Sequence, residues 1–247
     1  MKRMKTRKTG NNLGCKQPIF KSRLQATLFI TTIAAFALYC AMLVISQNVK
    51  AEDSRVKPMW ATAPTMKEMI NSNRSALFHR ATDPWKGAEK PQVTMVYFTD
   101  FNCPYCKKLE PELDKLMAEY PQLKIIVKMV PLQGQSSVEA VDFAQRVWLN
   151  EPAKFLKLKD TLMAAPRRLD RQTLAKAAAM TKTSQWLTQA EKSISPAISD
   201  NLELMRGLRI GGTPSMVIGE QIIVGLVPFE RLKQQVELTL EARDEHG

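Results

Sequence analysis

The chain has 247 residues, of which 45% are hydrophobic, with 10 glycines, 14 prolines and a formal charge of +12. That length holds one or two domains, and the composition excludes a disordered chain, a collagen-like chain and a protein that crosses a membrane many times. The 36 Lys and Arg against 24 Asp and Glu would suggest a nucleic-acid partner, but eight of the basic residues lie in Met1 to Arg23 and no acid appears before Glu52. Beyond residue 49 the balance is 28 basic against 24 acidic, so the surplus belongs to a tail and a nucleic-acid partner is not expected.

Leu24 to Val49 is a run of 26 uncharged residues rich in Leu, Ile, Phe and Ala. A helix of about 20 apolar residues crosses the hydrocarbon core, so this run predicts a transmembrane signal anchor over 24–49. Basic residues crowd its N-terminal side, from Lys2 to Arg23, while Lys50, Glu52 and Asp53 follow it. The positive-inside rule then leaves residues 1–23 as a cytoplasmic tail and exports the remainder. The rival reading is a signal peptide cut after Ala51, but a signal h-region is typically about 7 to 15 residues and this run is far longer. Cys15 and Cys40 fall in the tail and the apolar run, with no role assigned.

Residues 50–90 read as a stalk broken by Pro58, Pro64, Pro84 and Gly87. Thr65 and Glu68 make a capping-box pattern that opens one helix. Met66, Met69, Ile70 and Leu77 line one face of it, suited either to packing on the domain or to joining copies of the chain into a homo-oligomer.

The domain proper is expected over 91–247. Gln92 to Thr99 is rich in β-branched and aromatic residues and predicts a buried strand. A helix from Cys103 to Tyr120 follows, kinked at Pro111, then a second strand from Leu123 to Val130, making a parallel βαβ unit. No glycine occurs from Gln135 to Arg206, and readable helix starts at Ser136 with Glu139, at Pro152, at Asp170 and at Ser195 with Pro196 predict a helical insertion over about 135–208. Ser215 to Ile218 and Gln221 to Val224 flank Gly219-Glu220 as a hairpin. A last helix carries Phe229, Leu232, Val236 and Leu240 on one face.

The exported part holds two cysteines, Cys103 and Cys106, separated by Pro104 and Tyr105 at a helix start. Unpaired first-turn amides and the helix dipole favour a thiolate on the first, which makes Cys103 the nucleophile. Cys106, one turn on, is placed to attack a mixed disulfide formed at Cys103 and release the substrate. Pro104 and Tyr105 are then the redox-tuning pair. A merely structural disulfide closing so short a loop would constrain the unfolded chain little. A structural zinc usually needs four ligands, and beyond the pair only His79 and His246 are on offer. A two-thiolate Cu(I) site remains chemically open, so a copper-handling binding protein is the rival class.

The run VYFTDFNCPYCKKLEP, the block GGTPSMVIG and the tail EQIIVGLVPFERLKQQVE, in that order, resemble the exported DsbA-like thioredoxin-fold thiol-disulfide oxidoreductases, nearest their suppressor-of-copper-sensitivity branch and its membrane-tethered forms. The 108 positions from Cys106 to Pro214 leave room for the helical block, which glutaredoxins and plain thioredoxins lack. The resemblance implies an α/β thioredoxin fold with a helical insertion, and a cis bond at Thr213-Pro214 that faces the cysteine pair and offers backbone groups to an extended substrate. It implies no organic cofactor beyond a redox-active Cys103 to Cys106 disulfide. Its expected partners are periplasmic protein substrates with cysteines and a membrane redox partner, with the domain on the periplasmic side of a bacterial inner membrane. Many relatives carry a buried acid six residues before the first cysteine; here Tyr97 stands there. Strong oxidants commonly have His where this chain has Tyr105, so the direction of exchange, oxidase, isomerase or reductase, stays open at the level of sequence.

Overall fold

The computed structural model describes residues 36–43, 63–187 and 195–245. These fall into two units divided at Ala63 and Pro64. The first contains a short helix, α1 (residues 36–43), inside the apolar run expected to span a membrane; the rest of that run and the basic tail lie outside the described residues. Among the described residues no helix is long and apolar enough to cross a membrane.

The second unit is built on five strands in the order β1-β3-β2-β4-β5. The central strand β2 (Val93–Thr99) pairs in parallel with β3 (Leu123–Met129), from Val93 opposite Leu123 to Thr99 opposite Met129. It pairs antiparallel with β4 (Ser215–Ile218) on its other side. Because both faces of β2 are covered, its sequence reads as a continuous apolar run rather than an alternating one. The hairpin partner β5 (Gln221–Val224) is joined to β4 through Gly219, whose φ of 58° suits the tight turn.

One face of the sheet is covered by α4 (Pro104–Glu119) and α9 (Phe229–Asp244), where Leu109, Leu113, Leu116, Leu232 and Val236 meet Met95, Tyr97 and Met216. Pro111 sits inside α4 without ending it, and the helix runs on to Glu119. The other face takes α2 (Met66–Ser72), α3 (Arg74–Phe78) and α8 (Pro196–Gly207), with Ile70, Leu77, Leu204 and Met205 packed on Val96, Phe98 and Val217.

Residues 64–90 therefore differ from the expected stalk. The Thr65 and Glu68 capping box forms as predicted, but Ile70 and Leu77 are buried against the sheet. The strand β1 (Trp85–Gly87) pairs antiparallel with β3. Lys128, buried in β3, binds both the Ala76 carbonyl, at 2.6 Å, and the Asp83 carboxylate. The folded unit begins near Pro64 rather than at residue 91 because apolar side chains and an ion pair tie this segment down.

The insertion is helical as expected: α5 (Gln135–Asn150), α6 (Pro152–Met163) and α7 (Arg171–Thr181) precede α8. Pro152 and Pro196 open their helices, and the Asp170 side chain caps α7 by accepting from the Thr173 amide. The expected cap at Ser136 does not form. The cap is Gly134, two residues earlier, and the Ser136 hydroxyl accepts from Asn102 and Arg168 instead.

Candidate active site

Cys103 is the N-cap residue of α4 and Pro104 its first helical residue. A proline at that position gives up only an amide that no helical carbonyl would have used. The amides of Tyr105 and Cys106 then point back at the Cys103 sulfur, as they would at a capping oxygen, and lower its pKa. The larger influence is the hydrogen bond from Cys106, and together with Thr213 these outweigh the opposing effect of burial, so the Cys103 thiol is lowered to about 6. Burial pushes the Cys106 thiol far the other way, and the neighbouring Cys103 adds to the rise. Two thiols three residues apart are thus divided into an anion at neutral pH and a proton-bearing partner.

Thr213 and Pro214 meet the pair from the far end of the sequence. Their peptide bond is cis, and the Thr213 carbonyl accepts from Cys103 Sγ at 3.2 Å. The Pro214 carbonyl accepts from the Gly225 amide at 2.8 Å, and Ser215 Oγ donates to the Gly212 carbonyl at 2.7 Å. The loop is thus held at both shoulders, by β5 and by its own turn. Of the expected redox-tuning residues, Tyr105 is 55% exposed, with the Lys108 ammonium 5.9 Å from its ring centre. Pro104 is exposed beside it. Cys103 is only 2% exposed and Cys106 is fully buried, so a partner reaches the nucleophile past Tyr105 and Pro104.

Three further groups shape the site. Asp100, three residues before the nucleophile, is fully buried. One of its oxygens accepts from the Asn102 amide and Ser137 Oγ, at 2.8 and 2.7 Å; the other accepts from the amides of Leu132 and Gln133, at 2.7 and 2.9 Å. It joins the nucleophile's loop to the loop after β3 and to the start of α5. Asn102 extends the joint, its carbonyl oxygen accepting from the Leu169 amide at 2.7 Å while its amide donates to Ser136 and Ser137. Lys107 donates to the carbonyls of Ala165 and Arg167, so its charge is spent on the insertion rather than on the thiolate. The insertion is thereby bolted to the nucleophile's loop, with Cys103 and Cys106 in one apolar cluster with Phe101, Phe143 and Phe155.

The roles of Asp100 and Asn102 rest on contacts 30 to 70 residues away in the chain, which local pattern does not register. The one visible signal was the polar run Thr99-Asp100 between a buried strand and a helix start.

The comparisons agree with this architecture. A family model described as Thioredoxin matches residues 79–238. The catalytic domain of Proteus mirabilis ScsC is 35% identical over 72% of this chain and 99% of its own, with a TM-score of 0.67. A periplasmic thioredoxin-like protein from Salmonella enterica serovar Typhimurium is 34% identical over 69% of this chain and 97% of its own, with a TM-score of 0.65. Disulfide bond formation protein D of Bacillus subtilis is 21% identical over 173 residues, 65% of this chain and 78% of that protein. With a sheet, an insertion and a paired-thiol helix start of this kind, the chain belongs to the thioredoxin family, with ScsC and the DsbA-like thiol-disulfide oxidoreductases as its structural neighbours.

Proposed function

We propose that the protein exchanges disulfides with the cysteines of other proteins through Cys103, with Cys106 resolving the mixed disulfide. The observation that carries this reading is the division of the pair: a Cys103 thiol lowered to about 6 beside a buried Cys106 pushed the opposite way. The thiolate of Cys103 attacks a substrate disulfide, one substrate thiolate leaves, and Cys106 then displaces the second as the Cys103 to Cys106 bond forms. The substrate disulfide is reduced and the pair oxidised; run backwards, the same steps donate a disulfide. Stabilising the thiolate favours the reduced pair, and a pair that prefers to be reduced passes its disulfide on. Disulfide donation, as an oxidase or isomerase, is the direction this supports.

The apolar run over 24–49 and its basic flank support a single-pass anchor in a bacterial inner membrane with the domain in the periplasm. A membrane partner that resets the pair fits that placement. The deciding experiment is the reduction potential of the pair in the full chain, equilibrated against glutathione at neutral pH. A value near roughly −120 mV is expected; one near roughly −270 mV would make the protein a reductase and sink the donor reading. Protease protection in spheroplasts tests the placement, since a periplasmic domain is digested from outside.

A further inference from the structure

Between α6 and α7 the chain runs Pro166-Arg167-Arg168-Leu169-Asp170-Arg171. This loop is held against the nucleophile's own loop: the Leu169 amide donates to Asn102 Oδ1 at 2.7 Å, and the Arg167 carbonyl accepts from Lys107 at 3.2 Å. Arg168 is tied in more closely still. Its Nε donates to Ser136 Oγ at 2.9 Å, and the same oxygen accepts from Asn102 Nδ2 at 3.0 Å, so one hydroxyl joins the guanidinium to the residue before Cys103. On α4 the Lys108 ammonium lies 5.9 Å from the ring centre of Tyr105, which a partner passes on its way to the sulfur.

More cations precede the turn that carries Thr213. Arg206 lines an apolar groove of about 280 Å³ with Leu132, Met205, Ile210 and Gly211. The groove adjoins the site, because the Leu132 amide donates to Asp100 at 2.7 Å and Gly211 stands two positions before Thr213. Arg209 follows the end of α8 with a φ of 57°, and the next amide, of Ile210, closes the helix end on the Met205 carbonyl at 2.8 Å.

Fold stability does not account for these charges. Lys108, Arg167, Arg168, Arg206 and Arg209 are exposed, and none of the five is ion-paired among the described residues. Cations ahead of α7 oppose the positive end of its dipole. A left-handed residue closing a helix is ordinarily Gly or Asn, so an arginine at position 209 is conformationally disfavoured. Arg206, in the last turn of α8, is the exception that suits its helix. The neighbouring acids leave the surplus standing: Asp100 is buried with both oxygens occupied, Asp170 caps α7, and Glu112 lies one turn beyond Lys108, away from the cysteines.

We infer that Lys108, Arg167 and Arg168, together with Arg206 and Arg209, select polypeptides whose cysteine is flanked by carboxylates. This rests on the exchange reading and names its substrate class. The guanidinium fork matches a carboxylate with two parallel hydrogen bonds, and the summed charge draws an acidic segment in before any bond forms. Exchange needs a sulfur, so the anion is carried by a cysteine-bearing chain. On the oxidised pair, a substrate thiolate attacks Cys103 Sγ, the Cys103 to Cys106 bond breaks, and Cys106 leaves and takes up a proton. A second substrate thiolate then attacks the first substrate sulfur and Cys103 leaves as a thiolate. The substrate is oxidised by two electrons and the pair is reduced.

The test uses the oxidised full chain in neutral detergent and three reduced peptides of equal length, each with one cysteine flanked by aspartates, asparagines or lysines. Samples quenched with acid and read by mass give the rate at which the Cys103 to Cys106 bond is lost. Flanking charge also changes the peptide thiol's own ionisation, so each rate is divided by that peptide's rate with hydroxyethyl disulfide, an uncharged reference. In the parent the aspartate peptide is expected to exceed the lysine peptide roughly tenfold at low salt, the low end for electrostatic steering. Most of that advantage should vanish at about 1 M salt, where the screening length is about 3 Å. Arg167→Gln with Arg168→Gln, and Arg206→Gln with Arg209→Gln, should each lower the ratio, and all four changes with Lys108→Gln should bring it close to one. A ratio close to one in the parent, or a parental ratio in both paired variants, overturns the charge selection while loss of the bond still reports exchange. A parent pair that stays oxidised with all three peptides overturns the exchange reading and the selection together.

Discussion

The Thr213 carbonyl oxygen and the Cys103 sulfur lie 3.2 Å apart, although 110 positions separate them in the chain. This contact joins two halves of one site that arrive on different strands: β2 delivers the cysteine helix, and the turn before β4 delivers the carbonyl. Since β2 and β4 are paired in register from Met95 opposite Ile218 to Phe98 opposite Ser215, the sheet itself sets the distance between nucleophile and substrate loop.

The first prediction concerns pH. With the Cys103 thiol at about 6, alkylation of the reduced protein by iodoacetamide should rise through pH 6 and level off by neutral pH, with the label on Cys103 alone. In the unfolded chain the same thiol titrates at its ordinary 9.0, so between about pH 6 and 9 the unfolded state holds a proton that the folded state has lost. The reduced form should therefore gain stability with rising pH across that window and lose the gain as pH falls through 6. Above 9 the buried Cys106, which resists ionisation, reverses the trend. Urea melts of the reduced protein at several pH values check the sign.

A second prediction isolates Thr213. Its hydrogen bonding helps to lower the Cys103 thiol, while the carbonyl contact to the sulfur belongs to the main chain. Thr213→Val removes the hydroxyl and keeps the shape and the carbonyl. The alkylation profile should move to higher pH with no change in the melting midpoint of the oxidised protein. An unmoved profile would overturn a part for the Thr213 hydroxyl in stabilising the thiolate, since a carbonyl acceptor favours the protonated thiol.

Asp100 predicts a different pattern. Asp100→Asn keeps the size of the side chain but turns one acceptor into a donor facing groups that also donate. Either the Leu132 and Gln133 amides, or the Asn102 amide and the Ser137 hydroxyl, would then face a donor, so the loss should be on the order of 3 kcal/mol. The variant should also lose its rigid joint between the nucleophile's loop and the insertion, through Ser137 and the Leu132 and Gln133 amides. Denaturant unfolding of the oxidised form measures the first effect. Faster hydrogen exchange at Leu132 and Gln133 measures the second.

The cysteine pair, the β2 and β3 strands and the β4 to β5 hairpin were legible because each is announced locally, by a cap position, an apolar run or a Gly-containing turn. The start of the domain was not. Trp85-Lys86-Gly87 is too short to show a strand period, and its pairing with Lys124 to Ile126 is a contact no local window contains. Lys128 likewise reads as a break in an apolar strand until Asp83 appears beside it. The buried ion pair of Glu110 with Lys159 is hidden in the same way, because its two members come from different helices, α4 and α6.

The last prediction tests that segment. If residues 64–90 were an independent stalk, changes within it would leave the thermal stability of the domain untouched. Leu77 is instead fully buried against the sheet, and Leu77→Ala should cost about 2 to 5 kcal/mol through lost apolar burial and the cavity left behind. Lys128→Met should cost about 3 to 5 kcal/mol, because it strands the Asp83 carboxylate, 4% exposed, without its ammonium partner. Replacing both members, Lys128→Met with Asp83→Leu, should recover most of that loss, since two apolar side chains need no partner in the same space. All three variants should keep the alkylation profile of Cys103, because they sit on the sheet face opposite the cysteine helix. A Leu77→Ala protein as stable as the parent would return this segment to the role of a stalk.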